Sequence, residues 1–357
     1  MLVVGCGGIG GTVAAHLAAC GTNTTVLSRN ERIVDSINRF GFRTRGEGAI
    51  GTVPGHAVSR LQGDTARFDY VLLATQPPQV EDAARDALPF LSDDGRIVCF
   101  QNGLCELRVA PIAGEARVVG GIVAFGASML EPGVYDRTSS GGIVLGRLDG
   151  ELDEPLERLV RLLEAVGPIA TTRNLRGARW SKLAINCAIS SLGTLGGDRV
   201  GPLLKRRFIR RLALEIMTET VHVARAAGVT LEKVSGTLDL DWLALTASER
   251  DRRLGSPALV AKHALLVAVG MRYRRLRSSM LNAIERGRPP AIDFLNGEVS
   301  DRGSSLGVAT PVNDAVRELV WQLARGEVRP SVALLERLYR DTRAPSSGNA
   351  VTSDEPD

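Results

Sequence analysis

Cysteine is scarce in this chain of 357 residues, and lysine is scarcer. The five cysteines, Cys6, Cys20, Cys99, Cys105 and Cys187, are odd in number and widely spaced, with no Cys-x-x-Cys pair. That argues against a disulfide framework or a zinc ribbon. Their apolar or glycine-rich surroundings fit a reducing, cytoplasmic compartment. No charge of one sign dominates: 44 basic against 40 acidic residues leave a formal +4, spread along the chain, which gives no basis for a nucleic-acid partner. A membrane-spanning run is missing too. The longest apolar stretch, Pro257 to Met271, is interrupted by Lys262 and His263, and at that length it reads as a core helix. His16, His56, His222 and His263 show no metal-ligand spacing, so no metal is expected, and His263 reads as a core residue. Met1-Leu2-Val3-Val4 already reads as a strand, so a cleavable leader is not expected. With 44% hydrophobic and 24% charged residues, what remains is a globular protein long enough for two domains.

The first part alternates strand and helix. Leu2–Val4, Thr24–Leu27, Asp69–Ala74 and Arg96–Phe100 are short β-rich runs, with helical patterns at Thr12–Cys20 and Glu81–Leu91. This rhythm predicts a parallel sheet with right-handed crossovers. Val118 to Leu145 is glycine-rich and strand-like, with a turn at Glu131-Pro132-Gly133; a helix over Leu152–Val166 and a strand over Ile169–Thr172 follow. Beyond Leu175 the pattern is helical: Gly177–Leu195, Leu203–Ala227, Pro257–Glu285, Ile292–Leu306, Pro311–Arg325 and Pro330–Tyr339. The fold expected is α/β, a Rossmann-type doubly wound sheet over residues 1–174 followed by a mainly helical substrate and catalytic domain over 175–340. The Ser-, Pro- and Asp-rich tail, 341–357, is expected to be disordered. The runs Arg206-Arg207-x-x-Arg210-Arg211 and Arg272-x-Arg274-Arg275-x-Arg277 read as solvated helix faces.

Gly5-Cys6-Gly7-Gly8-Ile9-Gly10 fits G-x-G-x-x-G, follows a strand and opens a helix, which is the context a dinucleotide fingerprint needs. Gly5 permits the tight turn, Gly7 lets the backbone approach a pyrophosphate, and Gly10 allows close packing. The helix N-terminus over Gly8 and Ile9 supplies free N–H groups and a positive dipole end. At the end of the second strand an acid would bond a ribose 2′-hydroxyl, whereas a cation accommodates a 2′-phosphate. Here stand Ser28 and Arg29, with no carboxylate until Glu31, and the cofactor expected is NADP(H).

Arg179 to Leu192 is apolar nearly all round and should be buried, yet Lys182, Asn186 and Ser190 fall at i, i+4 and i+8 along one face. Lys182, Lys205, Lys233 and Lys262 are the four lysines among many arginines. A buried lysine where arginine is the usual cation points to an amine that can lose its proton, as a general acid must. The structural alternative is a snorkelling lysine at a helix start.

These features resemble the ketopantoate reductase (2-dehydropantoate 2-reductase) family to about Arg340. The resemblance rests on Gln101-Asn102-Gly103, Trp180-x-Lys182-Leu183-x-x-Asn186-Cys187, Ser278-Ser279-Met280-Leu281, Ile292-Asp293-x-x-Asn296-Gly297 and Ala309-Thr310-Pro311-x-Asn313. It implies an N-terminal Rossmann domain, a helical C-terminal domain and NADPH-dependent reduction of a 2-keto acid in the cleft between them. It further implies Lys182 as general acid, Asn102 beside nicotinamide and substrate, Asn186 on the substrate, and Ser279 on its carboxylate. Three positions depart. Gln76 stands for the family's lysine at the coenzyme side, Ala291 for the glutamate that contacts the ketopantoate hydroxyl, and Ser190 for a position often occupied by Asn. A small carbonyl compound less polar than ketopantoate, or its alcohol, is therefore the expected substrate, and a homodimer is compatible with the family. Extra sequence around 229–272 reads as an inserted surface segment. Two other readings stay open from sequence: a non-catalytic NADP-binding homologue and an opine-type dehydrogenase acting on an imine.

Overall fold

The computed structural model describes residues 1–63, 67–234, 238–251, 256–272, 274 and 277–343. Among the described residues of the first half, twelve strands form: β1 (Leu2–Val4), β2 (Thr25–Leu27), β3 (Phe42–Gly46), β4 (Thr52–Val53), β5 (His56–Val58), β6 (Phe68–Leu73), β7 (Leu91–Cys99), β8 (Val118–Val123), β9 (Ala127–Glu131), β10 (Val134–Arg137), β11 (Ile143–Arg147) and β12 (Ile169–Thr172). Eight make one sheet in the order β12-β11-β8-β7-β6-β1-β2-β5, parallel except where β11 runs against β8. Its central strands are apolar on both faces because both are covered. Val3, Val26, Tyr70, Leu72 and Val98 enter one core, and Leu2, Val4, Val71, Leu73 and Ile97 enter the other. Between them lie α1 (Gly8–Ala19), α2 (Glu31–Phe40), α3 (Val80–Ala87), α4 (Glu106–Ala113) and α5 (Glu154–Leu163). The chain goes outward from β1 to β2 and β5 and then returns to β6 on the other side of β1, so the strand order reverses at the carboxyl end of β1. That is where open α/β sheets bind ligands.

A second, four-stranded sheet, β4-β3-β10-β9, covers α1. It explains why α1 is buried on nearly every side rather than along one stripe. The sequence reading anticipated strand character in Val118–Leu145 but not β3, β4 and β5.

The second half is helical: α6 (Leu175–Gly196), α7 (Val200–Leu204), α8 (Arg207–Ala226), α9 (Leu240–Leu243), α10 (Ala247–Asp251), α11 (Pro257–Arg272), α12 (Ser279–Glu285), α13 (Asn296–Ser305), α14 (Pro311–Ala324) and α15 (Val332–Asp341). α6 begins at Asn174, whose side chain accepts the Gly177 N–H, and stops at Gly197 in the left-handed region. It forms the axis of a third apolar core with α8, α14 and α15. Glu219 of α8 caps α14, accepting the N–H groups of Val312 and Asn313, both at 2.9 Å, and the Asn313 amide at 2.7 Å. Burial pushes its carboxyl up to about 7 despite those donors.

Three expectations are corrected. The helix expected over Pro257–Glu285 is two, because Ser278 is extended and its hydroxyl caps α12. The helix expected from Leu203 starts at Arg207, because Arg206 is extended and separates α7 from α8. The segment expected as a surface insertion contributes a buried ion pair, in which Lys262 donates to Glu249 at 2.7 Å and to the Ala244 carbonyl at 2.8 Å. The tail expected from Asp341 lies, from residue 344 onward, outside the described residues; Asp341 itself ends α15.

Candidate active site

The glycine loop sits at the carboxyl end of β1. Gly5 has φ +92°, and a β-carbon there would stand 2.8 Å from the Thr75 nitrogen. One on Gly10 would meet the Gly5 carbonyl at 2.0 Å, and one on Gly8 the Ala127 carbonyl of β9 at 2.2 Å. At Gly7 nothing lies within 4 Å. The loop is therefore tight toward the protein and open at Gly7, above the first turn of α1, which carries no side-chain cap. That combination fits a pyrophosphate held on main-chain N–H groups. Behind the loop, Cys6 Sγ and Tyr135 Oη of β10 share a hydrogen bond of 2.8 Å.

At the end of β2, Ser28 is buried and its Oγ accepts the Asn30 N–H at 3.3 Å; Asn30 then caps α2. Arg29, with Asn30, Glu31 and Arg32, lines an open depression. Its guanidinium pairs with Asp86 of α3 at 2.9 Å, the two side chains being 76% and 58% exposed. So exposed a pair contributes at most about 1 kcal/mol, and Arg29 can leave it for a phosphate. Asp86 could not have been singled out from sequence, since 57 residues separate it from this turn; Arg32, three residues after Arg29, was there to be read and was passed over.

The helical half meets the sheet at the carboxyl ends of β7 and β8. Arg179, three residues before Lys182, is buried and donates to the carbonyls of Cys99 (2.7 Å), Gln101 (2.9 Å) and Gly121 (3.4 Å) and to buried Glu106 of α4. Lys182 donates to the Val123 carbonyl, the last of β8, at 2.8 Å. Burial lowers its pKa to about 7; Arg179 pushes the same way and Glu106 opposes. Between Ser181 and Ser191 the residues that keep accessible surface are Lys182, Ile185, Asn186, Ile189 and Ser190. The expected polar stripe is thus the open face of an otherwise buried helix, about 12 Å long from Lys182 to Ser190. Asn186 Nδ2 is buried without a protein partner. Ile185 and Ile189, at i+3 and i+7 from Lys182, make that face half apolar; the same helical period that gave the polar stripe marks them too.

The remaining candidates fall around this face. Ser278 Oγ donates to the Ser190 carbonyl at 2.9 Å, which sets exposed Ser279, the first residue of α12, over the far end of the stripe. The Asn102 side chain is exposed, on a turn where Gly103 has φ +91° and a β-carbon would meet the Phe294 carbonyl at 2.5 Å. The turn Pro77–Gln79 after exposed Gln76 packs on the Ala291–Phe294 turn. Gln76, Asn102 and Ala291 thus gather around the Ala291–Phe294 turn, and Lys182, Asn186 and Ser190 lie along one face of α6 with Ser279 beside its far end. Ser28 and Arg29 stand apart at the end of β2. Among the described residues no group of three His, Cys, Asp or Glu is arranged to hold a metal, and no helix is long and apolar enough to cross a membrane.

Family models describing ketopantoate reductase PanE/ApbA and its C-terminal region match residues 1–150 and 174–324. The chain belongs to the ketopantoate reductase family. It is an oxidoreductase of that family, with the family's Rossmann-type and helical parts. Curated relatives include 2-dehydropantoate 2-reductases of Mesorhizobium japonicum, 27% identical over 345 residues (90% of this chain, 97% of the relative), and Pyrococcus horikoshii, 24% over 327 (91% and 96%). A ketopantoate reductase of Ralstonia eutropha superposes with a TM-score of 0.74 at 24% identity, over 92% of this chain and 99% of that one. D-mandelate dehydrogenase, solved with NADH and anilino(oxo)acetate, superposes with 0.73 at 20% identity, over 95% and 99%.

Proposed function

We propose that this protein is an NADP(H)-dependent oxidoreductase that interconverts a small 2-keto acid, less polar than ketopantoate, with its 2-hydroxy acid, and that Lys182 moves the proton. The observation that carries this reading is the Lys182 amine on the open face of a buried helix, lowered to about 7 and bonded to one main-chain carbonyl, Val123. An amine poised there can give a proton to a carbonyl oxygen in reduction and take one from a hydroxyl in oxidation. Asn186, with its orphan amide donor, and Asn102 would orient the substrate, and Ser279 with Ser190 would bind its carboxylate.

Gly5, Gly7, Gly8, Ile9 and Gly10 would hold the coenzyme's pyrophosphate, and Ser28 and Arg29 its 2′-phosphate, with Gln76 and Asn102 nearer the nicotinamide. The bound nicotinamide supplies the hydride. The first functional unit is taken as 1–174 and the second as 175–340. The free thiols suit a cytoplasmic setting. A homodimer is compatible with the dimeric ketopantoate reductase of Staphylococcus aureus, a structural neighbour.

The substrate side follows from what is missing. Ala291 offers no acceptor for a substrate hydroxyl and Gln76 no charge, while Ile185 and Ile189 offer apolar surface. A wall without a hydroxyl acceptor favours alkyl or aryl side chains, and mandelate, the substrate named for one structural neighbour, is an aryl 2-hydroxy acid. The test is kcat/KM for ketopantoate beside alkyl and aryl 2-keto acids, followed by NADPH absorbance, for wild type and Lys182→Ala. Turnover of an alkyl or aryl keto acid should exceed that of ketopantoate, and Lys182→Ala should lower kcat about 10²–10⁴-fold with NADPH affinity unchanged. A Lys182→Ala variant that keeps most of its turnover would remove the proton role.

A further inference from the structure

The buried ion pair behind Lys182 has no place in substrate or coenzyme binding as described, yet it joins the two halves of the molecule. Arg179 and Glu106 have side chains 3% and 2% exposed. Arg179 stands three residues before Lys182 on α6, so both side chains leave the same face of the helix, one turn apart. Its guanidinium bonds carbonyls at the ends of two neighbouring strands, Cys99 and Gln101 on the β7 side and Gly121 on β8. Lys182 bonds Val123, two residues beyond Gly121 on β8. α6 is thus held on the sheet edge at two consecutive turns, and Glu106 fixes Arg179 from α4.

We propose that Arg179 and Glu106 are positioning residues: together they clamp α6 to the carboxyl ends of β7 and β8 and set the electrostatic field in which the Lys182 amine stands. This rests on the reading of Lys182 as the proton carrier. The charged groups whose fields reach Lys182 are Arg179 on its own helix and Glu106 on α4; β8 offers a carbonyl. Other charges near this seam are neutralised among themselves. Glu298 takes Arg108 and Arg302, Asp293 takes Arg317, and Arg147 of β11 takes Asp149 and Asp153. The two members of the pair act on Lys182 in opposite senses, Arg179 disfavouring its ammonium and Glu106 favouring it. The signs of two substitutions follow.

Glu106→Gln keeps the shape and leaves Arg179 unopposed, so the pH at which reduction falls off should move down by about one unit. Arg179→Gln/Glu106→Gln removes both charges of the pair and leaves neither partner unopposed. Its fall-off should move above the wild-type pH, because Arg179 acts on Lys182 more strongly than Glu106 does, while kcat drops at least tenfold because the fork on the two strands is gone. The double variant carries the test where the single one does not fold. The readouts are the pH profile of kcat/KM and, independently of turnover, the titration of the Lys182 resonance after ¹³C-methylation of a chain with four lysines. Profiles and resonance that coincide with wild type, in a folded variant with undiminished kcat, overturn the proposal. If instead Lys182→Ala keeps its activity, the functional reading fails, and the resonance still decides whether the pair governs the amine.

Discussion

At the scale of single residues, two side chains carry opposite lessons about how far sequence reaches. Lys182 was legible because a lysine in a protein that otherwise uses arginine stood on an apolar helix in register with Asn186 and Ser190. Rarity alone would have pointed equally to Lys262, which is the more deeply buried of the two and is held by Glu249 and Ala244. The period of the helix, not the residue type, separated the cleft from the core. Arg29 was legible as the residue in place of an acid, but Asp86, its partner from 57 residues away, was not. That partner makes the coenzyme prediction sharper. NADPH should bind about tenfold or more tightly than NADH, from charge-assisted bonds of about 1.5–3 kcal/mol. Arg29→Asp should invert the preference, and Asp86→Asn should tighten NADPH by freeing the guanidinium while leaving NADH unchanged. Fluorescence titration of both coenzymes reads all three, and equal affinities in wild type would refute the assignment. For Lys182, a pKa of about 7 means that reduction, which needs the ammonium, declines as pH rises through that value. Oxidation, which needs the free amine, declines as pH falls through it, and opposite slopes in the two directions are the signature to measure.

Among the elements, the inner strands of the main sheet were readable because a strand buried on both faces is an uninterrupted apolar run. β4 and β5 escaped because two- and three-residue strands with exposed positions, set among glycines and a proline, have no period to detect. Helix breaks escaped where a serine cap interrupted an otherwise helical pattern, as at Ser278. Another cap, Glu219 at the start of α14, gives a testable stability term. Its folded pKa, about 7, lies above the ordinary 4.5, so the folded state keeps this proton longer than the unfolded state. The contribution is therefore full below about 4.5 and is lost as pH rises to about 7. Glu219→Gln should flatten that part of the stability profile, a difference of up to a few kcal/mol between pH 4.5 and 8. Urea midpoints of the two proteins across that range decide it, and parallel curves would show that Glu219 does not titrate there.

For the molecule as a whole, the seam between the halves depends on contacts that no linear pattern foretells. Besides the Arg179 clamp, Arg108 of α4 donates to Glu298 of α13 at 2.6 Å and stacks over Phe294 at 4.8 Å. Phe294 is also the residue against which the Asn102–Gly103 turn closes. Arg108→Ala should lower the unfolding temperature by a few degrees and raise KM for the keto acid several-fold, with coenzyme affinity little changed. Steady-state kinetics at saturating coenzyme test this, and an unaltered KM would mean that the halves keep their register without it.

The second sheet has a consequence for inheritance. Of the glycines at the start of α1, Gly5 is confined by Ala74 and Thr75 after β6, Gly10 by the Gly5 carbonyl, Gly8 by Ala127 and Gly11 by the Tyr135 ring. Gly7 alone among them faces open space. A descendant that gave up its nucleotide would still need four of these five glycines merely to fold, so most of the fingerprint would survive as a fossil. Only the residue at position 7 would be free to drift, and that position alone would record the lost ligand.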